Sequence, residues 1–201
     1  MAIHAVIFDL GGVIVRTEDW HPRNALAERL AMSRDELESL VFGDGGDYRA
    51  QLGEITAQEQ WDHVRQKLGM SASDTSQLQE QFFGGDRLDQ ELVDYIRDVK
   101  HDYITALLSN APDNLRGILD EKWDITDAFH HIIISAEVGV MKPDPAIYQL
   151  ALARLGVAAE DAVFIDDMQA NVQGALDIGM HAIHFRSADL TRAELEGLLS
   201  N

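Results

Sequence analysis

The sequence predicts an α/β fold: a doubly wound, Rossmann-like parallel sheet with an α-helical subdomain inserted after its first strand. Three observations carry this expectation. Short apolar runs at 5–8, 104–108, 132–135, 162–165 and 182–185 have strand length and are bounded by turn residues. Helical patterns at 91–99, 114–121, 146–155 and 172–178 separate the later runs, and such alternation with short connections builds a parallel sheet covered on both faces. Residues 16–89 interrupt the alternation and contain no convincing strand. The expected division is therefore 1–15 and 90–201 for the sheet domain, and 16–89 for a helical insertion of about four helices.

The first run, Ala5-Val6-Ile7-Phe8, ends on Asp9 and is followed at once by Leu10-Gly11-Gly12. A continuous apolar run reads as a fully buried strand, so Asp9 stands at its carboxyl end, where open α/β sheets bind ligands. The glycines allow a sharp turn and a close approach. A turn-capping role for Asp9 is the plain alternative.

Within the insertion, Ser33-Arg34-Asp35-Glu36 and Thr56-Ala57-Gln58-Glu59 read as capping boxes that open helices. Gly43-Asp44-Gly45-Gly46-Asp47 and Gly84-Gly85-Asp86 read as loops. The two crossings, near Arg16 and near 84–89, are expected hinges. After the second apolar run come Ser109 and Asn110, a hydroxyl and an amide able to donate to an oxyanion; the alternative is a helix-capping serine. After the third run, Lys142-Pro143 precedes Asp144-Pro145, an N-cap followed by proline at the first helical position. Gly156 and Gly179 read as helix stops. The fourth run ends on Asp166-Asp167, with Asn171 beyond. Two adjacent carboxylates at a buried strand end are costly without a counter-charge, and a hard divalent cation is the natural partner. Capping aspartates in a loop are the alternative.

Composition narrows the function. The chain of 201 residues has no cysteine, which excludes disulfides, thiolate metal sites and a cysteine nucleophile. The net charge of −19 argues against nucleic acid and anionic membrane surfaces as partners. It also means that a phosphate site must supply local positive charge. No basic region leads into a long apolar core at the N-terminus, so neither a signal peptide nor a membrane span is expected, and a cytoplasmic location follows.

The four strand-end signals, taken in order, resemble the haloacid dehalogenase superfamily over essentially the whole chain. Phe8-Asp9-Leu10-Gly11-Gly12-Val13 is similar to its first motif, with Asp9 in the nucleophile position. Ser109-Asn110 resembles the second motif, Lys142-Pro143 the third and Asp166-Asp167 the fourth, while 16–89 lies where the family places a helical cap. The stretch from Phe164 to Asn171 is similar to the N-terminal phosphatase domain of soluble epoxide hydrolases and to small bacterial sugar-phosphate phosphatases.

That resemblance implies a Mg²⁺-dependent phosphatase acting on a small phosphorylated metabolite, a sugar phosphate among the options, through an aspartyl-phosphate. It implies Asp9, Ser109 and Lys142 as catalytic residues. Leu10, Gly11, Ser109, Asn110 and Lys142 would bind phosphate, and Asp9, the Gly11 carbonyl, Asp166 and Asp167 would hold the metal. Trp20, His21, Arg23, Tyr48, Arg49 and Trp61 are the cap-side residues of interest; Trp61 falls inside a helical pattern and reads as core, and His21 is a candidate replacement acid. One departure stands out: phosphatases of this superfamily usually carry a second aspartate two residues after the nucleophile, and Gly11 occupies that position. A dehalogenase using the same aspartate on carbon, and a weakly active metal- and phosphate-binding regulator, are the competing readings.

Overall fold

The computed structural model describes residues 2–43, 47–71 and 74–200. Its centre is a five-stranded, wholly parallel sheet. In chain order its strands are β1 (Ala5–Phe8), β4 (Ile104–Ser109), β5 (His131–Ile134), β6 (Ala162–Asp166) and β7 (His181–His184), arranged β5-β4-β1-β6-β7. The apolar runs fix this arrangement because each strand is covered on both faces. Alternation along β1 sends Val6 and Phe8 to one core, with Val93, Ile96 and Leu195, and Ala5 and Ile7 to the other, with Ile147, Tyr148 and Ala175. The chain winds outward from β1 in one direction through β4 and β5, then crosses to β6 and β7. The reversal falls between β1 and β6, and the carboxyl ends of those two strands carry Asp9 and Asp166.

Two of the helices that cover the sheet follow the expected signals closely. Helix α6 (Gln90–Val99) is capped by Asp89, whose carboxylate accepts the Leu92 N–H at 2.9 Å. Helix α9 (Pro145–Leu155) opens on Asp144 with proline in its first turn, and stops at Gly156 in the left-handed region. Helix α10 (Gln169–Asp177) starts earlier than the apolar pattern alone predicts, and α11 (Ala188–Leu199), capped by Ser187, closes the chain. The pattern at 114–121 resolves into a short α7 (Leu115–Gly117) running into a π-helical turn over Ile118–Lys122. Helix α8 (Ser135–Val138) follows β5 directly.

The insertion holds five helices among the described residues: α1 (His21–Arg29), α2 (Arg34–Phe42), α3 (Asp47–Gln51), α4 (Ala57–Lys67) and α5 (Thr75–Phe82). Leu26, Leu37, Val41, Trp61, Val64, Leu78 and Phe82 form its own apolar core. Both capping boxes form, at Ser33 with Glu36 and at Thr56 with Glu59. Trp61 is core, and so is Arg23, whose guanidinium lies 4.3 Å from the Phe82 ring centroid and pairs with Glu38 and Asp86. Of the expected glycine-rich loop at 43–47, residues 44–46 lie outside the described residues, and Asp47 already belongs to α3.

One expectation fails here. The stretch 16–89 does contain strand: β2 (Val15–Thr17) pairs antiparallel with β3 (Asp86–Leu88). Each strand has three residues with charged or polar side chains among them, so neither produces an apolar run. Their pairing is a tertiary event that ties together the two crossings. Gly85 belongs to this junction because a Cβ on it would lie 1.7 Å from the Asp19 carbonyl oxygen.

Arg16 and Asp89 lock the ribbon to the sheet domain. Arg16 donates to the Val13 carbonyl at 2.6 Å and pairs with Asp89 at 2.8 Å. Burial of the Asp89 carboxylate opposes its charged form, but hydrogen bonds from Arg16 and from the Leu92 N–H outweigh it and hold the carboxyl below its ordinary range. A carboxyl depressed in the folded state contributes stability above its unfolded pKa, here 3.8, and loses it as pH falls below that value. Asp89→Ala is therefore expected to lower stability at neutral pH by about 1 kcal/mol, with the wild-type advantage shrinking in melts taken progressively below pH 3.8.

Candidate active site

Asp9, Lys142, Asp166 and Asp167 meet at the carboxyl end of the sheet. Lys142 Nζ lies 2.8 Å from Asp9 Oδ1 and 2.7 Å from Asp166 Oδ2, and its side chain is 1% exposed. The ammonium also sits 5.2 Å from the Phe164 ring centroid. Ligand atoms of Asp9, Asp166 and Asp167 all lie within 4.8 Å of one another. One buried ammonium thus faces three carboxylates.

That imbalance appears in the acidities. Burial pushes the Asp9 carboxyl up to about 7; Lys142 pulls it down and Asp166 adds to the rise. Burial, with Asp166 next, also raises Asp167. A cluster of hard carboxylate oxygens short of positive charge fits a small divalent cation such as Mg²⁺.

The two neighbouring aspartates differ. Asp166 is fully buried and its oxygens are engaged: they accept from Lys142 Nζ, from the Met168 N–H at 2.7 Å and from Asn171 Nδ2 at 3.1 Å to each oxygen. Tyr148 in turn donates to the Asn171 carbonyl at 2.8 Å. Asp167 is half-buried and packs against Gly12. Gly12 has φ +77°, and a Cβ there would fall 2.2 Å from Asp167 Oδ2. Gly12→Ala is accordingly expected to displace Asp167 and weaken Mg²⁺ binding by about 10- to 100-fold, measured by calorimetric titration. His184 bonds the Asp167 carbonyl through Nε2 at 2.9 Å, steadying the same residue from β7.

The remaining expected residues occupy this region in different ways. Ser109 is the buried last residue of β4 and caps no helix, since α7 begins after Asn114; the capping alternative fails because the chain continues as loop. Asn110 grips Lys142: the Lys142 N–H donates to Asn110 Oδ1 at 2.8 Å, and Asn110 Nδ2 donates to the Lys142 carbonyl at 2.9 Å. The Leu10 N–H donates to Asp9 Oδ1 at 2.7 Å, so in this geometry its acceptor is the nucleophile candidate itself. Gly11 is exposed, and a Cβ on it would meet nothing within 4 Å. The direction a side chain at Gly11 would take is therefore open. Among the described residues, no hydrogen bond or ion pair joins Trp20, His21, Tyr48 or Arg49 to Asp9 or Lys142.

Asn171 is the functional-site residue that sequence reasoning undervalued. It lies five positions after Asp166, on the first turn of α10, which points it back over the strand end. Gly174 allows that close docking: a Cβ on it would lie 2.9 Å from the Pro143 carbonyl oxygen.

Comparison with known proteins agrees with this geometry. The family pattern of the haloacid dehalogenase-like hydrolases matches residues 3–179. The chain is 28% identical to pig bifunctional epoxide hydrolase 2, covering 98% of this chain but 39% of that protein. It is 27% identical to the sesquiterpene phosphatase astK of Aspergillus oryzae, covering 97% of this chain and 96% of that one. A haloacid dehalogenase family enzyme from Bacteroides thetaiotaomicron, solved with magnesium and inorganic phosphate, superposes with a TM-score of 0.78 at 22% identity over 92% of this chain and 95% of that one. No helix among the described residues is long and apolar enough to cross a membrane. A buried lysine among three carboxylates at the switch point of a parallel sheet, and a family match over most of the chain, lead to one conclusion: this protein belongs to the haloacid dehalogenase-like hydrolases.

Proposed function

We propose that the protein is a Mg²⁺-dependent phosphatase that hydrolyses a small phosphorylated metabolite, a sugar phosphate among the substrates to test. The observation that carries this reading is the convergence of Asp9, Asp166 and Asp167 within 4.8 Å around a single lysine. The Aspergillus relative named as a phosphatase and the Bacteroides neighbour holding magnesium and phosphate support it.

Asp9, the Gly11 carbonyl and Asp167 would hold the ion, with Asp166 behind them; the oxygens of Asp166 already serve Lys142, Met168 and Asn171. When bound, Mg²⁺ would offset the repulsion between carboxylates and phosphate and polarise the phosphoryl group. Asp9 Oδ1 accepts from both Lys142 and the Leu10 N–H, which orients the carboxylate for attack. Asp9 attacks phosphorus in line, the bond to the leaving oxygen breaks, and an aspartyl-phosphate forms; water then attacks phosphorus and releases inorganic phosphate. Ser109, the Gly11 N–H and Lys142 stabilise the transferring oxygens. Gly11 offers no side chain to protonate the leaving group, so good leaving groups are preferred and poor ones react slowly. The helical insertion serves as the cap that excludes water. The net charge of −19 disfavours nucleic acid as substrate.

The test is phosphate release across a panel of phosphorylated metabolites and p-nitrophenyl phosphate, with Mg²⁺ and with chelator. Release that requires Mg²⁺ supports the reading. Chloride release from 2-chloropropionate without metal would favour the dehalogenase reading instead. Binding of Mg²⁺ and phosphate without turnover on any ester would favour the regulator.

A further inference from the structure

The insertion touches the sheet domain at a second place, away from the β2–β3 ribbon. Two of the N–H groups at the amino end of α4 are satisfied locally: Thr56 N–H by Glu59 at 2.8 Å, and Glu59 N–H by Thr56 Oγ1 at 3.1 Å. The third, Ala57 N–H, donates to Asp113 Oδ1 at 2.8 Å, across 56 positions of sequence. An acidic side chain at a helix amino terminus gains from both the hydrogen bond and the helix dipole.

Asp113 belongs to the loop that leaves β4 at Ser109. That loop is held from both sides. Asn110 grips the Lys142 backbone, and Ala111 donates its N–H to Ser135 Oγ at 3.0 Å and accepts from that hydroxyl at 3.3 Å. Gly53 of the insertion, at φ +71°, also comes so close to the start of α8 that a Cβ would fall 2.3 Å from the Ala136 carbonyl oxygen. The insertion keeps its apolar core to itself, and a cavity of about 590 Å³, lined by Trp61, Phe83, Arg87, Ile118, Lys122 and Trp123, separates it from α7 and the π-helical turn.

We propose that Asp113 is a positioning residue that docks the cap. Its carboxylate fastens the start of α4 to the loop that carries Ser109 and Asn110. Seating the insertion over Asp9 and fixing the backbone of Lys142 therefore depend on one segment of chain. Opening the cap at this contact breaks the Asp113 hydrogen bond, a small cost that suits a site which admits substrate and releases product every cycle. The kinetic consequence rests on the phosphatase reading; the docking itself does not.

The experiment compares wild type, Asp113→Ala and Asp113→Asn by two readouts. The first is amide hydrogen exchange at Ala57, with Mg²⁺ and inorganic phosphate present. The second is steady-state kinetics with p-nitrophenyl phosphate. Asp113→Ala is expected to speed exchange at Ala57 by about 10-fold and to raise KM by a similar factor with kcat little changed. Asp113→Asn, which keeps an acceptor as good for capping, stays within about 3-fold of wild type in both. Unchanged exchange at Ala57 in the alanine variant overturns the proposal, as does a loss confined to kcat with KM intact. If wild type does not turn over p-nitrophenyl phosphate, the phosphatase reading fails on its own, and exchange at Ala57 still decides the docking role.

Discussion

Asp9→Asn is expected to lower Mg²⁺-dependent phosphate release by about 10⁴-fold or more, because it removes the proposed nucleophile while keeping its shape. The amide oxygen still accepts from Lys142 and from the Leu10 N–H, so the local hydrogen bonds persist. Stability separates this loss from unfolding. A carboxyl raised in the folded state contributes stability fully below its unfolded pKa of 3.8 and loses it as pH rises through about 7. The metal-free wild type therefore carries a penalty above pH 7 that the asparagine variant lacks. Metal-free Asp9→Asn should melt higher than metal-free wild type at pH 8, by about 4 °C, and the gap should narrow as pH falls from 7 and close only below 3.8. An inactive variant that also melts lower at pH 8 would contradict the account.

Lys142→Met is expected to be the most destabilising substitution in the site. The methionine has similar length and leaves no charge. Asp9 and Asp166 then lose the ammonium that lies within 2.8 Å of both, in a region where neither can find water readily. Removing one partner of a buried ionic cluster costs about 3–5 kcal/mol, which for a chain of this size lowers the melting temperature by about 6–20 °C. Turnover falls with it, since the transferring oxygens lose their nearest cation. A double variant gives the sharper result. Neutralising Asp9 as well removes one of the unbalanced carboxylates, so Asp9→Asn should raise the stability of Lys142→Met by more than it raises that of wild type. An equal gain in both backgrounds would show that Lys142 acts through packing on Phe164 rather than through charge.

The sheet was legible because its strands are buried on both faces and so read as short apolar runs, and those of β1, β4 and β6 lead directly to Asp9, Ser109 and Asp166. Lys142 was placed instead by its position between the third run and the Asp144-Pro145 helix start. What those side chains do to one another was not legible. Asn110 reads as a donor for an oxyanion, yet both ends of its amide serve the Lys142 backbone 32 positions away. Asp166 and Asp167 look equivalent in sequence, and only the fold separates the buried one, claimed by three donors, from the half-exposed one beside Gly12. The β2–β3 ribbon escaped notice because each strand is three residues long and mixed in polarity. Helix α3 is a single short turn of five residues next to a glycine-rich stretch, too short to declare a period. The Asp113 contact is invisible for the same physical reason: a carboxylate in a loop declares a cap only when the helix it caps adjoins it in sequence.

Calorimetric titration of Mg²⁺ into wild type and Asp167→Ala, with inorganic phosphate present, tests the central claim most directly. The account predicts one ion per wild-type chain and at least about a 10-fold weaker affinity in the variant. Equal affinities, or no binding to wild type, would contradict it.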